Sequence, residues 1–489
     1  MALMTAQQFV DSLREVRTKV YFGGKRIENM VDHPVMRPPI NAMAATYALA
    51  QKPEWKDLMV FTGEDGQPAN IACSLMRSPL DVVKKFKTVR QVALETARGH
   101  VRTVGMDAMN SVASIVYELD HELGTRYAKR FYDWFRLIQT NDFAVSGAIT
   151  DPKGLRSKRP KDQPDPDHYL RVVEERNDGI VVRGAKVHQT VAVSSHWHVV
   201  APTTAMREDE ADHAIVFAVP CDAPGIFHVY GRQMGDMRKA EGCTIDVGNV
   251  HYGSSESLMV FDNVFVPWEH VFMYKEWQFT RRLVERFANY HRQGYGASRA
   301  AMTDVLIGAV SLLAEMHGLS ENRIIKDKLT EMAALGETMY ACGLAASYEA
   351  KPTPSGIYIV DEVLVNVAKL NVTRLPYEVA RLAEDIAGGL FATCPHEADF
   401  RSQETGPYIE KYLRTDPHVP TEQRLRLMRL VENLCYGTGA TYFRAESLHG
   451  AGSPEGLKLQ LRDKLDWADK RAHARRVCGI DDNPLVTWR

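Results

Sequence analysis

No pair of cysteines in this 489-residue chain stands at the spacing of a locally templated metal site; the nearest two of the seven are Cys221 and Cys243. The absence of CxxC and CxxxC argues against a zinc or iron–sulfur centre built from neighbouring residues. An odd, scattered set of thiols suits buried free cysteines in a reducing compartment. No GxGxxG leads from a strand pattern into a helix pattern, and no Walker A motif occurs. A nucleotide cofactor is therefore not held by a Rossmann or P-loop unit. Lysine plus arginine total 60 against 62 aspartate plus glutamate, a net charge of −2, whereas a nucleic-acid binder normally shows a basic excess. No apolar run reaches the length of a bilayer-spanning helix. The first residues, MALMTAQQFVDSLREV, lack the basic flank and apolar core of a secretory signal; they read as a helix start capped by Thr5. The expected location is the cytoplasm.

What the chain does contain is ordinary globular material, 45% hydrophobic and 25% charged, enough for two or three packed regions. Residues 1–142 carry apolar residues at helical spacing, as in SPLDVVKKFKTVRQVALETARGHV. Residues 143–278 open with a Pro-, Asp- and Lys-rich loop, TDPKGLRSKRPKDQPDPDH. Strand-like runs follow: YLRVVEE, GIVVRGAKVHQT, WHVVAPTTAM, HAIVFAVP and LMVFDNVFVP. Asn177-Asp178-Gly179, between two of these runs, is a hairpin signal. Residues 279–489 return to long amphipathic helical patterns with short breaks, as in a bundle of antiparallel helices. No repeat of solenoid length is present.

Within that last region YHRQGYGASRA (290–300) places His291 and Tyr295 on one helical face, beside Gly294 and Gly296, which weaken a helix. Either a ligand approaches the backbone here, or the helix ends and His291 is a core residue. The pair His196 and His198 resembles two metal ligands but lacks a third. The segment Leu448–Pro454, rich in Gly, Ser and Pro, reads as a helix terminus or as a loop able to receive a cofactor edge. Taken alone, Glu256 and Glu446 read as surface carboxylates, and Tyr295 as a core plug.

Eight stretches together resemble a known family: VDHPVMRPPIN (31–41), VGMDAMN (104–110), ITDPKG (149–154), GIVVRGAKVHQT (179–190), VFDNVFVPWE (260–269), RFANYHRQGYG (286–296), RLAEDIAGGL (381–390) and ESLHGAGSP (446–454). The chain is similar to the 4-hydroxyphenylacetate 3-hydroxylase flavoprotein family, on its 4-hydroxybutyryl-CoA dehydratase/vinylacetyl-CoA Δ-isomerase branch. The resemblance implies an α+β, mainly α, acyl-CoA dehydrogenase-like fold. Its parts would be an N-terminal helical domain (1–142), a middle β-barrel (143–278) and a C-terminal helical bundle (279–489). It also implies FAD, with contacts at Gly147, Ala148 and Ile149, at Lys153, Gly154, Leu155 and Arg156, at His188, Gln189 and Thr190, and at Gly450, Ala451, Gly452 and Ser453. Lys153 and Arg156 suit a pyrophosphate and Thr190 a ring hydrogen bond. A homotetramer is implied as well.

The dehydratase branch holds a [4Fe-4S] cluster on three cysteines and a histidine. Those positions read Gly99, Thr103, Ser298 and His291 here, and neither glycine nor hydroxyls suit iron at a sulfide cluster. No cluster is expected. The hydroxylase branch uses an Arg, a Tyr and a His that fall near Val104, at Ala108 and at Gly147, so its acid/base groups are lost too. The residues kept are His291, Tyr295, Glu256 and Glu446. They suit a double-bond shift in an acyl-CoA, with His291 as base, Tyr295 as positioning or donor group and a glutamate as acid. The alternative is a two-component monooxygenase that takes reduced flavin from a separate reductase and hydroxylates a phenol.

Overall fold

The computed structural model describes residues 3–63, 65–99 and 101–481. The opening helix Ala6–Glu15 begins at Thr5 in a reciprocal cap: Thr5 Oγ1 accepts from the Gln8 amide at 3.2 Å, and Gln8 Oε1 accepts from the Thr5 amide at 2.8 Å. Two of the amides that a helix start leaves without partners are thereby satisfied.

Twelve strands lie before the bundle. They are β1 (Val20–Phe22), β2 (Lys25–Ile27), β3 (Val60–Thr62), β4 (Pro68–Asn70), β5 (Val145–Ala148), β6 (Arg171–Arg176), β7 (Gly179–Lys186), β8 (Trp197–Val200), β9 (Ile215–Pro220), β10 (Ile226–Tyr230), β11 (Ser257–Pro267) and β12 (Val271–Tyr274). Arg176 pairs with Gly179 across the β6–β7 hairpin, so Asn177 and Asp178 form the two-residue turn that their sequence predicts.

The middle region is not the closed barrel that the resemblance implies. Among the described residues its strands form two open sheets, ordered β2-β1-β10-β11-β7-β6 and β12-β9-β8-β5. Closure needs edge strands that meet at a common tilt and stagger. Here the β2 edge is three residues long. The β12 edge is instead covered by the helix Tyr127–Asn141, whose Phe131 and Trp134 rings lie 5.5 Å from Phe272. The six-stranded sheet also draws β1 and β2 from outside 143–278, β1 running parallel to β10. Between the sheets pack Ile180, Val182, Val200, Phe217, Phe261 and Val264.

The bundle is organised around the helix Thr280–Met316. By length and composition the segment Trp277–Met316 could cross a membrane, which corrects the expectation that no run was long enough; 67% of its apolar window is buried inside the protein. Apolar content on all sides is what a central helix requires. Its neighbours are the helices Pro79–Thr96, Thr103–Leu123, Arg323–Tyr348, Glu362–Val372 and Thr421–Cys435.

Gly296 is explained by this packing and not by a ligand. A Cβ there would stand 2.8 Å from the Met339 carbonyl oxygen of the Arg323–Tyr348 helix. Gly294 is buried in the same helix, and its carbonyl accepts from Ser298 Oγ at 2.9 Å. Gly296→Val should therefore destabilise the fold by about 1–3 kcal/mol through overpacking. A urea midpoint equal to wild type, with activity lost, would return the glycine to the ligand.

Candidate active site

His291 leaves the central helix toward the Thr103–Leu123 helix, where its Nδ1 meets Asp107 Oδ2 at 3.0 Å. Asp107 also forms an ion pair with Lys85, and both side chains are 1% exposed. Lys85 Nζ further donates to the Tyr290 carbonyl at 2.9 Å. Burial pulls the Lys85 ammonium down from its usual range, and Asp107 opposes that shift. The three groups form a buried line, ammonium to carboxylate to imidazole, that fixes the ring. Phe287 stacks on the imidazole with centroids 5.5 Å apart. Removing one member of such a buried pair strands the other charge. Lys85→Met should cost about 3–5 kcal/mol in urea unfolding, and adding Asp107→Leu should recover most of it; a single variant as stable as wild type would contradict the pairing.

One turn further along, Tyr295 is fully buried with its ring 5.4 Å from that of His291, edge to face. Two cations flank it: the Arg299 guanidinium 4.6 Å and the Lys369 ammonium 4.4 Å from the ring centroid. Arg299 is ion-paired to Glu446 at 2.9 Å and donates to Ser447 Oγ at 2.6 Å and the Tyr442 carbonyl at 2.9 Å. Lys369 bonds the Ser447 carbonyl. Burial, reinforced by the charge of Arg299, lowers its pKa to about 7. Glu446 ends a π-helical turn, Thr441–Glu446, an irregularity often found at functional sites. Gly450 follows; a Cβ on it would overlap the Tyr295 hydroxyl. That close approach requires glycine at 450.

Glu256 reaches the same region from the turn before β11. Its Oε1 accepts from Thr190 Oγ1 at 2.6 Å, and its Oε2 is buried without a partner among the described residues. Burial raises its pKa well above the carboxylate range, and the charge of Glu446 raises it further. Glu256 is thus a protonated acid at neutral pH. Neither glutamate is a surface carboxylate: the Glu446 side chain is 22% exposed. The sequence-derived residues His291, Tyr295, Glu256 and Glu446 all border one buried region.

The segments assigned to flavin divide. His188 has φ 56°, and its pKa is lowered by burial, with Glu446 raising and Lys153 lowering it. The 188–190 turn, the 153 loop and the 446–453 loop therefore share one electrostatic neighbourhood. Gln189 Oε1 is buried and unpartnered among the described residues. Lys153 bonds Thr203 Oγ1 at 3.2 Å, and Leu155 and Arg156 are exposed beside it. Gly154 has φ 51° and packs on Gln163. Ala451 and Gly452 take positive φ, Arg292 Nε donates to the Ala451 carbonyl at 2.9 Å, and Ser453 caps the helix Pro454–Lys464. Gly147 and Ala148 lie within β5; a Cβ on Gly147 would meet Val104 O at 3.0 Å. Gly147 with Ile149 therefore shapes the floor between sheet and helix. An unpartnered acceptor at Gln189, a hydroxyl at Thr190 and cations at Lys153 and Arg156 fit a flavin dinucleotide.

An iron–sulfur cluster does not fit. Gly99, Thr103 and Ser298 offer no thiolate. A Cβ on Gly99 would overlap Ser298 and stand 2.7 Å from the Tyr442 hydroxyl. Ser298 Oγ is engaged by Gly294 O at 2.9 Å and Arg299 Nη1 at 3.2 Å. The positions where relatives would carry ligands are joined by packing here. The pair His196 and His198 is no metal site either. His196 Nδ1 accepts from the Ala144 amide at 3.0 Å, and His198 Nδ1 sits 2.6 Å from Ser146 Oγ. At the surface, Glu241, Cys243 and His396 bring ligand atoms within 4.8 Å. The Ala398 amide donates to His396 Nδ1 at 3.0 Å, which leaves the proton of the neutral ring on Nε2, toward Glu241.

Sequence reasoning missed Asp107, Lys85, Arg299 and Lys369. Lys85 had a usable signal: it stands at helical spacing between Val82 and Val89, a charge on a buried face. Asp107 and Arg299 lie inside or beside quoted motifs, but their partners are remote in the chain.

Family models describe the geometry's relatives. The 4-hydroxyphenylacetate 3-hydroxylase N-terminal model matches residues 5–273, and its C-terminal model matches 280–479. The chain is 48% identical over 488 residues to the 4-hydroxybutyryl-CoA dehydratase/vinylacetyl-CoA-Delta-isomerase of Clostridium aminobutyricum, covering 98% of this chain and 100% of that one. A solved oxygen-tolerant archaeal 4-hydroxybutyryl-CoA dehydratase from N. maritimus superposes with TM-score 0.96 at 42% identity, covering 100% and 97%. The oxygenase component of a 4-hydroxyphenylacetate 3-monooxygenase, complexed with FAD and 4-hydroxyphenylacetate, shares the fold at TM-score 0.82 and 22% identity, covering 98% of each chain. A glutaryl-coenzyme A dehydrogenase is a more distant fold neighbour, at TM-score 0.51 and 13% identity over 98% and 97%.

Proposed function

The chain belongs to the 4-hydroxyphenylacetate 3-hydroxylase family of enzymes, and on that premise we propose that it shifts a carbon–carbon double bond in an acyl-CoA, with FAD and without an iron–sulfur cluster. The observation that carries the reading is the buried constellation of His291, held by Asp107, with the protonated Glu256 across the same region. A base and an acid of that kind are what a β,γ to α,β shift requires.

With Nδ1 committed to Asp107, Nε2 is the nitrogen of His291 that exchanges a proton with the substrate's α-carbon. Arg299 and Lys369 supply positive charge around Tyr295, which favours the enolate oxygen that forms as the α-proton leaves. Glu256 then returns a proton at the γ-carbon, its neutral form kept by burial. Thr190 holds the carboxyl in place through Oε1. Passing the proton from His291 back to Glu256 restores both groups. Bound FAD supplies a redox-active, electron-poor ring next to the thioester. Gly147–Ile149, Lys153–Arg156, His188–Thr190 and Gly450–Ser453 are the residues that would hold it. We take the working assembly to be a homotetramer.

The donor set argues against cluster-assisted dehydration, since no step is available to iron at Gly99, Thr103 and Ser298. Phenol hydroxylation would have to proceed with Val104, Ala108 and Gly147 where its acid/base groups are expected. FAD-loaded protein should interconvert vinylacetyl-CoA and crotonyl-CoA anaerobically, with solvent deuterium entering the product. Oxygen uptake with reduced FAD, a flavin reductase and a phenol, and no isomerisation, would replace this reading with the monooxygenase.

A further inference from the structure

Behind the segment that carries Glu256 lies a second cavity with charged walls. It encloses about 320 Å³ of empty space, and Arg98, Asp236, Lys239, Gly253, Ser254 and Asn433 are among its lining residues. The catalytic side and this cavity share a wall: Gly231 N–H donates to Glu256 O at 2.8 Å, and Tyr230 Oη donates to Ser254 O at 3.1 Å.

Arg98 is 3% exposed, yet no carboxylate stands at ion-pair distance from it among the described residues. Its Nη1 donates to the Ala97 carbonyl at 3.0 Å and its Nη2 to Asn433 Oδ1 at 3.5 Å; its Nε is buried without a partner. Lys239 likewise has a backbone acceptor in place of a counter-ion, the Tyr252 carbonyl at 2.9 Å. Burial lowers the Arg98 pKa to about 10. Burial, with Arg98 adding to it, lowers that of Lys239 to about 7. The one carboxylate on the wall, Asp236, accepts from the Arg238 amide at 3.2 Å, and burial raises its pKa. Two cations therefore face one cavity with a single, weakened anion. A guanidinium withdrawn from water without a partner is costly, and an oxyanion between the two cations would complete the charge balance through charge-assisted hydrogen bonds.

We propose that this cavity is an oxyanion-binding site that takes a phosphate group on Arg98 and Lys239. The phosphate could be free or carried by a larger molecule, and binding to purified full-length protein distinguishes the sources. Thermal melting is followed as sodium phosphate replaces sodium chloride at constant ionic strength, and FAD and coenzyme A are titrated separately. The expected result is a saturable rise in melting temperature with phosphate. Lys239→Met should abolish that rise, and Arg98→Lys, which keeps a charge, should retain part of it. If Lys239→Met also weakens FAD or coenzyme A by about tenfold or more, the phosphate belongs to that molecule; if it weakens neither, the site serves a free oxyanion. Phosphate no more stabilising than chloride, together with unchanged FAD and coenzyme A affinities in Lys239→Met, overturns the proposal. So does a phosphate effect that both variants retain in full.

Discussion

Alanine at position 291 is expected to slow isomerisation by about 10²–10⁴-fold, the range for losing a positioned general base, with the fold and flavin content kept. The expectation of a clean kinetic effect comes from the neighbours of the imidazole. Asp107 retains its ion pair with Lys85 when the ring is gone, so no charge is stranded and the usual penalty for breaking a buried network is avoided. The loss should appear in kcat, since the base acts as the α-proton leaves, and imidazole added to the solution should restore part of it. Asp107→Asn, which keeps the shape but removes the anion from Nδ1, should lower kcat while KM holds. Solvent deuterium incorporation measures the proton abstraction directly. Wild-type exchange rates in His291→Ala would remove the imidazole from the chemistry, whatever the fate of Tyr295 and the glutamates.

Acidification is the second large effect, and it comes from the sheets. His196, His198 and His228 are buried and neutral. Burial lowers His196 and His228 to about 3 and His198 well below its usual value. The His198 and His228 rings lie 5.6 Å apart between the two sheets. His196 Nδ1 is occupied by the Ala144 amide at 3.0 Å, so protonation there would break a hydrogen bond. The sign follows from linkage: the unfolded chain takes up these protons below about pH 6.5 and the folded one does not, so stability present above that pH is lost as pH falls. Each group contributes about 1.4 kcal/mol per pH unit below its unfolded pKa. Three together give a slope near 4 kcal/mol per unit, steep enough to exhaust an ordinary folding free energy within a few units. Urea midpoints measured from pH 7 to pH 4 should fall accordingly, and His228→Gln should flatten the slope. A protein equally stable at pH 4.5 and pH 7 would mean that these imidazoles are not held neutral.

Much of the architecture is written in local pattern. Helical periodicity at both ends, alternating strands between them, the Thr5 cap and the Asn177-Asp178 turn are set by residues a few positions apart, and the chain realises them. His291 and Tyr295 could be paired from spacing alone, because a helix puts such neighbours on one face. What spacing could not supply is everything that depends on which segment comes to rest against which. The barrel that the family suggested is two open sheets because β1 and β2, early in the chain, pair at one edge. Gly296 yields to another helix and not to a ligand. Lys85, Asp107 and His291 lie on three separate helices, and their alignment exists only after those helices pack. The same holds for the proton on Glu256 and the low pKa of Lys369: both arise from burial and from charges distant in sequence, which a linear reading of residue types does not contain.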